Sequence, residues 1–161
     1  MCAGWAPQQP PTMRAPPAIQ SRAKIALAHA YLGELELARL ELRSALSEIY
    51  EIREDDLALQ SMLAEAVCRV SEGSLDAAVE LASFLQHQPG SWNETKDHAG
   101  RILGTAVQSL PQAVVKAAIE RGQELDYSVV VADLTGAGQT THRHPEALKP
   151  GIPDAGDDFQ I

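Results

Sequence analysis

Aromatic side chains are scarce in this chain: two Trp, three Tyr and two Phe among 161 residues. Sandwiches of β-sheets lean on aromatic and β-branched residues, so the shortage argues against an all-β fold. Cysteine is limited to Cys2 and Cys68, which form neither a disulfide framework nor a metal-binding or redox spacing; a reduced, cytoplasmic setting is expected. No apolar run approaches the ~20 residues that cross a bilayer, and no charged-start, apolar-middle leader opens the sequence. Basic residues are outnumbered 13 to 22, for a formal charge of −9. Residues 20–135 alone hold ten Lys/Arg against eighteen Asp/Glu, a net −8. Such a surface repels a phosphate backbone, so direct nucleic-acid binding is not expected.

Proline is missing from the middle of the chain. Of ten prolines, five lie at positions 7 to 17 and three at 145 to 153, leaving only Pro89 and Pro111 between. Residues 1–19 lack apolar periodicity, and residues 136–161 mix Gly, Pro, Thr and Asp. Both read as disordered tails. The folding unit is expected over 20–135.

What fills that unit is alanine and leucine at helical spacing. Ile25, Ala26, His29 and Ala30 begin an apolar stripe that breaks at Gly33; Leu35, Ala38, Leu42, Ala45, Leu46 and Ile49 form the next. Their period is that of helices with one buried face, and Glu36 lies within reach of Arg39 on the charged face. A third helix, capped by Asp55 or Asp56, carries Leu57, Met62, Leu63, Ala66 and Val67 to Gly73. A fourth, from Leu75 to Leu85, stops at Pro89-Gly90. The two hairpins are copies at an offset of 40 residues: Gly33-Glu34-Leu35 aligns with Gly73-Ser74-Leu75, Ala26 with Ala66, and Ala38 with Ala78. One hairpin cannot bury its apolar face alone, so stacking along the repeat is the physical solution.

A degenerate third unit follows. Ser91 and Glu94 have the spacing of a capping box, as do Ser109 and Gln112 around Pro111. Ala99, Ile102, Leu103 and Ala106 line one expected helix; Val114, Val115, Ala118 and Ile119 line another, ended by Gly122. Asp126 can cap a last short helix through Leu134. There Val129-Val130-Val131 favours a strand locally, but no partner strand is visible.

The small residue, Gly, Leu and Ala at Ala26, Gly33, Leu35, Ala38, Leu42 and Ala45, and again at Ala66, Gly73, Leu75 and Ala78, resemble the tetratricopeptide repeat (TPR). The chain departs from that family at His29 and Arg69, where Tyr is usual, and in its longer period. Repeats of this length are similar to those of large bacterial LuxR-type and SARP-type transcriptional regulators. Residues 91–134 resemble the closing segment of some of them. The resemblance implies an all-α, TPR-like solenoid of about three hairpins. It also implies a scaffold or sensor piece of a bacterial regulator, without that regulator's ATPase or DNA-binding parts.

Residues with chemistry in them are few. His142 and His144 could chelate, but a structural site wants four ligands in an ordered frame, so no metal is expected. Cys68 falls beside an apolar stripe and reads as a core residue. Gly136-Ala137-Gly138 lacks the third glycine, the strand and the helix of a phosphate loop. No nucleophile motif appears, and neither catalysis nor a cofactor is expected. The function read from the sequence is protein–protein recognition, with a peptide or helix laid along the first helices of the hairpins. The candidate groove residues are Arg22, His29, Met62, Glu65 and Arg69. Alternatives from other classes are a small-molecule-sensing helical domain and a self-association module forming a homo-oligomer.

Overall fold

The computed structural model describes residues 15–137, so most of both expected tails (1–14 and 138–161) lies outside the described residues. Those described form seven α-helices and no strand: α1 (Pro17–Leu32), α2 (Leu35–Ile52), α3 (Asp55–Ser71), α4 (Leu75–His87), α5 (Asn93–Ser109), α6 (Gln112–Glu124) and α7 (Tyr127–Thr135). The fold is all-α, a stack of sequential helix pairs. The first helix begins inside the stretch read as tail. Pro17 occupies its first turn, where the missing N–H has no intrahelical partner to lose, and Ala15 and Ile19 are buried.

The 40-residue repeat is real in three dimensions. Gly33 and Gly73 both sit at φ +80°, in the left-handed region where a Cβ is costly. Each closes its helix in the same way. The Gly33 N–H donates to the Ala30 carbonyl and the Glu34 N–H to that of His29; forty residues on, Gly73 donates to Val70 and Ser74 to Arg69. Helix pairs α1–α2 and α3–α4 are thereby folded into matching antiparallel hairpins. Ala26 and Ala66, and Ala38 and Ala78, are all fully buried.

The period continues into the third pair, where Ala106 and Ala118 are again buried. The turn does not. At the join between α5 and α6, Leu110 (φ −114°, ψ 150°) and Pro111 (φ −56°, ψ 138°) are extended. The pair splays, and α6 leaves α5 to pack on α4. Val79, Ala106, Val115 and Ala118 make a second small core there. Gly122, expected to end this helix, lies within it, and α6 runs on to Glu124. Its role is close approach: a Cβ on Gly122 would overlap the Glu80 carbonyl oxygen and stand 2.8 Å from Ser83 Cβ. At the same crossing the Ser83 hydroxyl donates to the Ile119 carbonyl at 3.0 Å.

The expected capping boxes do not form, because their serines are used elsewhere. The Ser91 hydroxyl donates to the Leu85 carbonyl at 2.6 Å, tying the start of α5 to the end of α4. The Ser109 hydroxyl donates back to Thr105. Asp55 and Asp56 stand in the first turn of α3 rather than at its cap, which is Glu54. Asp126 does cap α7, accepting from the Ser128 N–H at 2.8 Å. Residues Val129–Val131 are helical, the absence of any strand to pair with having overridden their local preference.

Of the three helical glycines in this end of the molecule (Gly100, Gly104 and Gly122), only Gly122 is held against backbone. Gly122→Ala is expected to cost about 1–3 kcal/mol through overpacking at the α4–α6 crossing. Gly104→Ala, with nothing within 4 Å of its added Cβ, should instead gain about 0.5–1 kcal/mol in helix propensity. Urea unfolding of the two variants checks both signs.

Candidate protein-interaction surface

The central helix organises everything around it. α3 packs against α1, α2, α4 and α5, and every residue from Leu57 to Cys68 except Gln60 is buried. A helix apolar on one face only would not tolerate this; α3 is apolar or small almost all round. Its one internal carboxylate, Glu65, is 7% exposed and fully engaged. Arg39 of α2 reaches it through Nε (3.0 Å to Oε2) and Nη2 (3.2 Å to Oε1). The same guanidinium binds Glu72 at 2.5 and 2.9 Å. Arg69 adds a bond from Nε to Glu65 at 3.1 Å and another from Nη1 to the Ala77 carbonyl of α4 at 3.1 Å. This network joins the first hairpin to the second. Arg39 therefore pairs between hairpins and not with Glu36 on its own helix.

The charges show in the titration of the groups. Hydrogen bonds from Arg39 hold Glu72 below the ordinary carboxyl range, and those to Glu72 and Glu65 push the Arg39 guanidinium above its own. Burial, reinforced by Glu65, pushes the Cys68 thiol up to about 11. A neutral, fully buried thiol is a packing residue, as its place on the stripe implied.

These facts relocate the candidate groove. Met62 is 0% exposed and stands in the core. Glu65 and Arg69 turn toward α2 and α4 in the network above. Arg22 turns to α2 as well, hydrogen-bonding Ser44 at 2.8 Å and pairing with Glu41 and Glu48. His29 Nδ1 meets Glu34 Oε2 at 2.5 Å across the Gly33 turn. At 100° per residue, positions 62, 65 and 69 lie on the far side of α3 from 60 and 67. The charged face selected from sequence is thus the face on which the hairpins are joined. On the opposite face α1, α3 and α5 lie side by side, and none of the candidates from sequence lies there. It is formed by Lys24 and Leu27 of α1, Gln60 and Leu63 of α3, and Glu94 and His98 of α5, around a small cavity of about 30 Å³. Tyr31, 62% exposed, stands one turn beyond Leu27. Two polar atoms of α5, Thr95 Oγ1 and His98 Nδ1, are buried there without a hydrogen-bond partner. The available signal was the near absence of charge at positions 60, 64 and 67, which is what a helix shows on a face lined by neighbours.

The last helix does not extend the stack. α7 returns to α2, placing Val130 and Val131 in the main core. Tyr127 reaches Asp55 at the start of α3, and burial and that carboxylate raise its phenol above the ordinary range. Leu134 and Asp133, at the other end, border a cavity of about 190 Å³ beside Arg39, Glu65 and Arg69. A cavity of about 460 Å³ lies between α2 and α7, lined by Ser47, Tyr50, Val131 and Thr135.

Among the described residues no group of three or more His, Cys, Asp or Glu side chains is placed to hold a metal ion. His142 and His144 lie outside those residues. No helix among them is long and apolar enough to cross a membrane. The fold and this surface define a class, the helical-hairpin repeat proteins. No protein-family model, curated protein or solved structure matches the chain.

Removing Glu65 would leave two guanidinium groups facing each other. Breaking a buried ion pair costs about 3–5 kcal/mol; with the Arg39 and Arg69 side chains each 22% exposed, Glu65→Ala is expected nearer about 2 kcal/mol. Arg43→Ala, at an exposed position outside the pairs, should stay within about 0.5 kcal/mol. Glu72, whose folded pKa is lowered, binds more proton when unfolded. Its contribution is therefore full above the ordinary carboxyl pKa and is lost as the pH falls through the lowered folded-state value. Glu72→Gln should flatten that acid limb in a plot of chemical-denaturation stability against pH.

Proposed function

We propose that the chain is a non-catalytic protein-recognition module that binds an extended segment or short helix of a partner along the α1–α3–α5 face. The observation that carries this reading is the composition of that face. It combines an exposed aromatic (Tyr31), a half-buried aliphatic (Leu27) and the polar side chains of Gln60 and Glu94. An exposed aromatic beside apolar floor and a few polar groups is the make-up of a recognition surface rather than of a solvated helix face. The finer reading follows the resemblance: a TPR-type repeat, acting as a cytoplasmic regulatory piece in bacterial signalling or transcription, without contact to nucleic acid.

Site-specific photocrosslinking tests the surface. A crosslinker placed at Tyr31 or Gln60 is expected to capture a defined protein partner in cells, and one placed at Arg43 is not. With the captured partner purified, Leu27→Asp and His98→Asp should weaken binding at least tenfold in calorimetry while leaving the helical circular dichroism unchanged. Capture from Arg43 alone overturns the reading. So does a large thermal stabilisation by a metabolite with no partner captured.

A further inference from the structure

The internal repeat assigns a use to the outer face of α1. In the second hairpin, α3 buries Ala58, Ser61, Glu65 and Cys68 and gives Glu65 and Glu72 to Arg39 of the preceding hairpin. Forty residues earlier the same positions of α1 are Ala18, Ser21, Ile25, Ala28 and Leu32. All five are exposed, Ile25 at 46% and Leu32 at 73%. They fall within one arc of the helix, about 21 Å long. Where α3 carries carboxylates for a preceding arginine, α1 carries two aliphatic side chains. The stripe is a leading face of the repeat with no preceding hairpin against it among the described residues.

The other end is incomplete in the complementary way. Each first helix docks on the pair before it: α3 on α1 and α2, α5 on α3 and α4. After the splayed α5–α6 pair the next helix, α7, withdraws to α2. The space it does not take is a cleft of about 930 Å³ between α5 and α6, floored by Val107, Val115 and Ile119 and edged by Lys116 and Glu120. Val107 is 60% exposed. α1 packs on α2 and α3 and not on α6, so the stripe and the cleft lie at opposite ends of the stack.

We propose that the chain associates head to tail with a second copy of itself, the α1 stripe of one molecule seated in the α5–α6 cleft of the next. The corresponding positions of α5 (Arg101, Thr105 and Gln108) are exposed too but polar, so α1 alone among the first helices carries an uncovered stripe that is largely aliphatic, and the cleft stands where a further first helix would continue the repeat. The contact extends an interface the fold already contains. Because stripe and cleft are different surfaces, the association is heterologous: it adds copies in series instead of stopping at a two-fold dimer.

Cross-complementation tests this without reference to any other partner. Two variants alter exposed positions: Ile25→Glu blocks the stripe and Val107→Glu blocks the cleft, with circular dichroism to verify folding. The unaltered full chain should show, in sedimentation velocity, a mass that rises with concentration beyond two chains of 17.3 kDa. Each variant alone should sediment as one chain. An equimolar mixture should form a dimer and go no further, because one open stripe meets one open cleft. A wild-type chain that stays monomeric throughout overturns the proposal. Self-association that survives Val107→Glu but not Ile25→Glu overturns it too, since the stripes would then pair with each other, and a mixture that fails to associate does the same.

Discussion

Everything distinctive in this fold depends on where a left-handed turn can be made. Gly33 and Gly73 both adopt φ +80° and both return the chain through the same pair of capping bonds. A residue with a Cβ would be strained there, so glycine is what lets two long helices meet at their ends and close as a hairpin. Twice the chain places a left-handed glycine between the two helices of a pair, and twice a tight hairpin results; the left-handed Arg53 and Gly136 stand elsewhere, after α2 and α7. At the third opportunity the sequence offers Leu110-Pro111, which is extended, and the hairpin opens. From that one difference follow the swing of α6 onto α4, the crossing at Gly122, the cleft between α5 and α6, and the return of α7 to α2.

Within the closed part, charge is used as a joint. The chain is strongly acidic, and at its centre Glu65 is surrounded on most sides by apolar helix. It is tolerated because two arginines from different elements converge on it, and Arg39 also holds Glu72. The network spans α2, α3 and α4, so it fixes how the hairpins sit on one another as well as neutralising a buried carboxylate. Apolar packing sets the distance between helices, while directional bonds of this kind set their relative register.

The repeat, the helix count and the buried small residues were legible in the sequence because each rests on local or periodic signals. Glycine at a fixed offset, alanine at the crossing points and aliphatics at helical spacing all have the same meaning in any context. The face proposed for recognition was not legible. Glu65 and Arg69 looked like solvated groove residues since charge ordinarily marks the outside, and only the position of Arg39 on another helix shows that they point inward; Arg22 turns instead to Glu41 and Glu48 of α2. The capping serines failed for a related reason: Ser91 found a better acceptor, the Leu85 carbonyl, on a helix end brought close by tertiary structure. Gly122 carried no sequence signal separating a stop from a close approach, because both require the absence of a side chain.

The return of α7 to α2 changes how such a stack folds. In an open repeat array each unit touches only its neighbours, so stability is a sum of local terms and the ends can fray independently. Here the last described helix is clasped to the second, with Val130 and Val131 in the same core as Leu42 and Leu46. That contact joins segments far apart in sequence, closes the array into a ring of dependencies and raises the contact order of an otherwise local topology. In a linear array the last unit touches only the one before it; here α7 shares a core with α2, four helices back along the chain from α6.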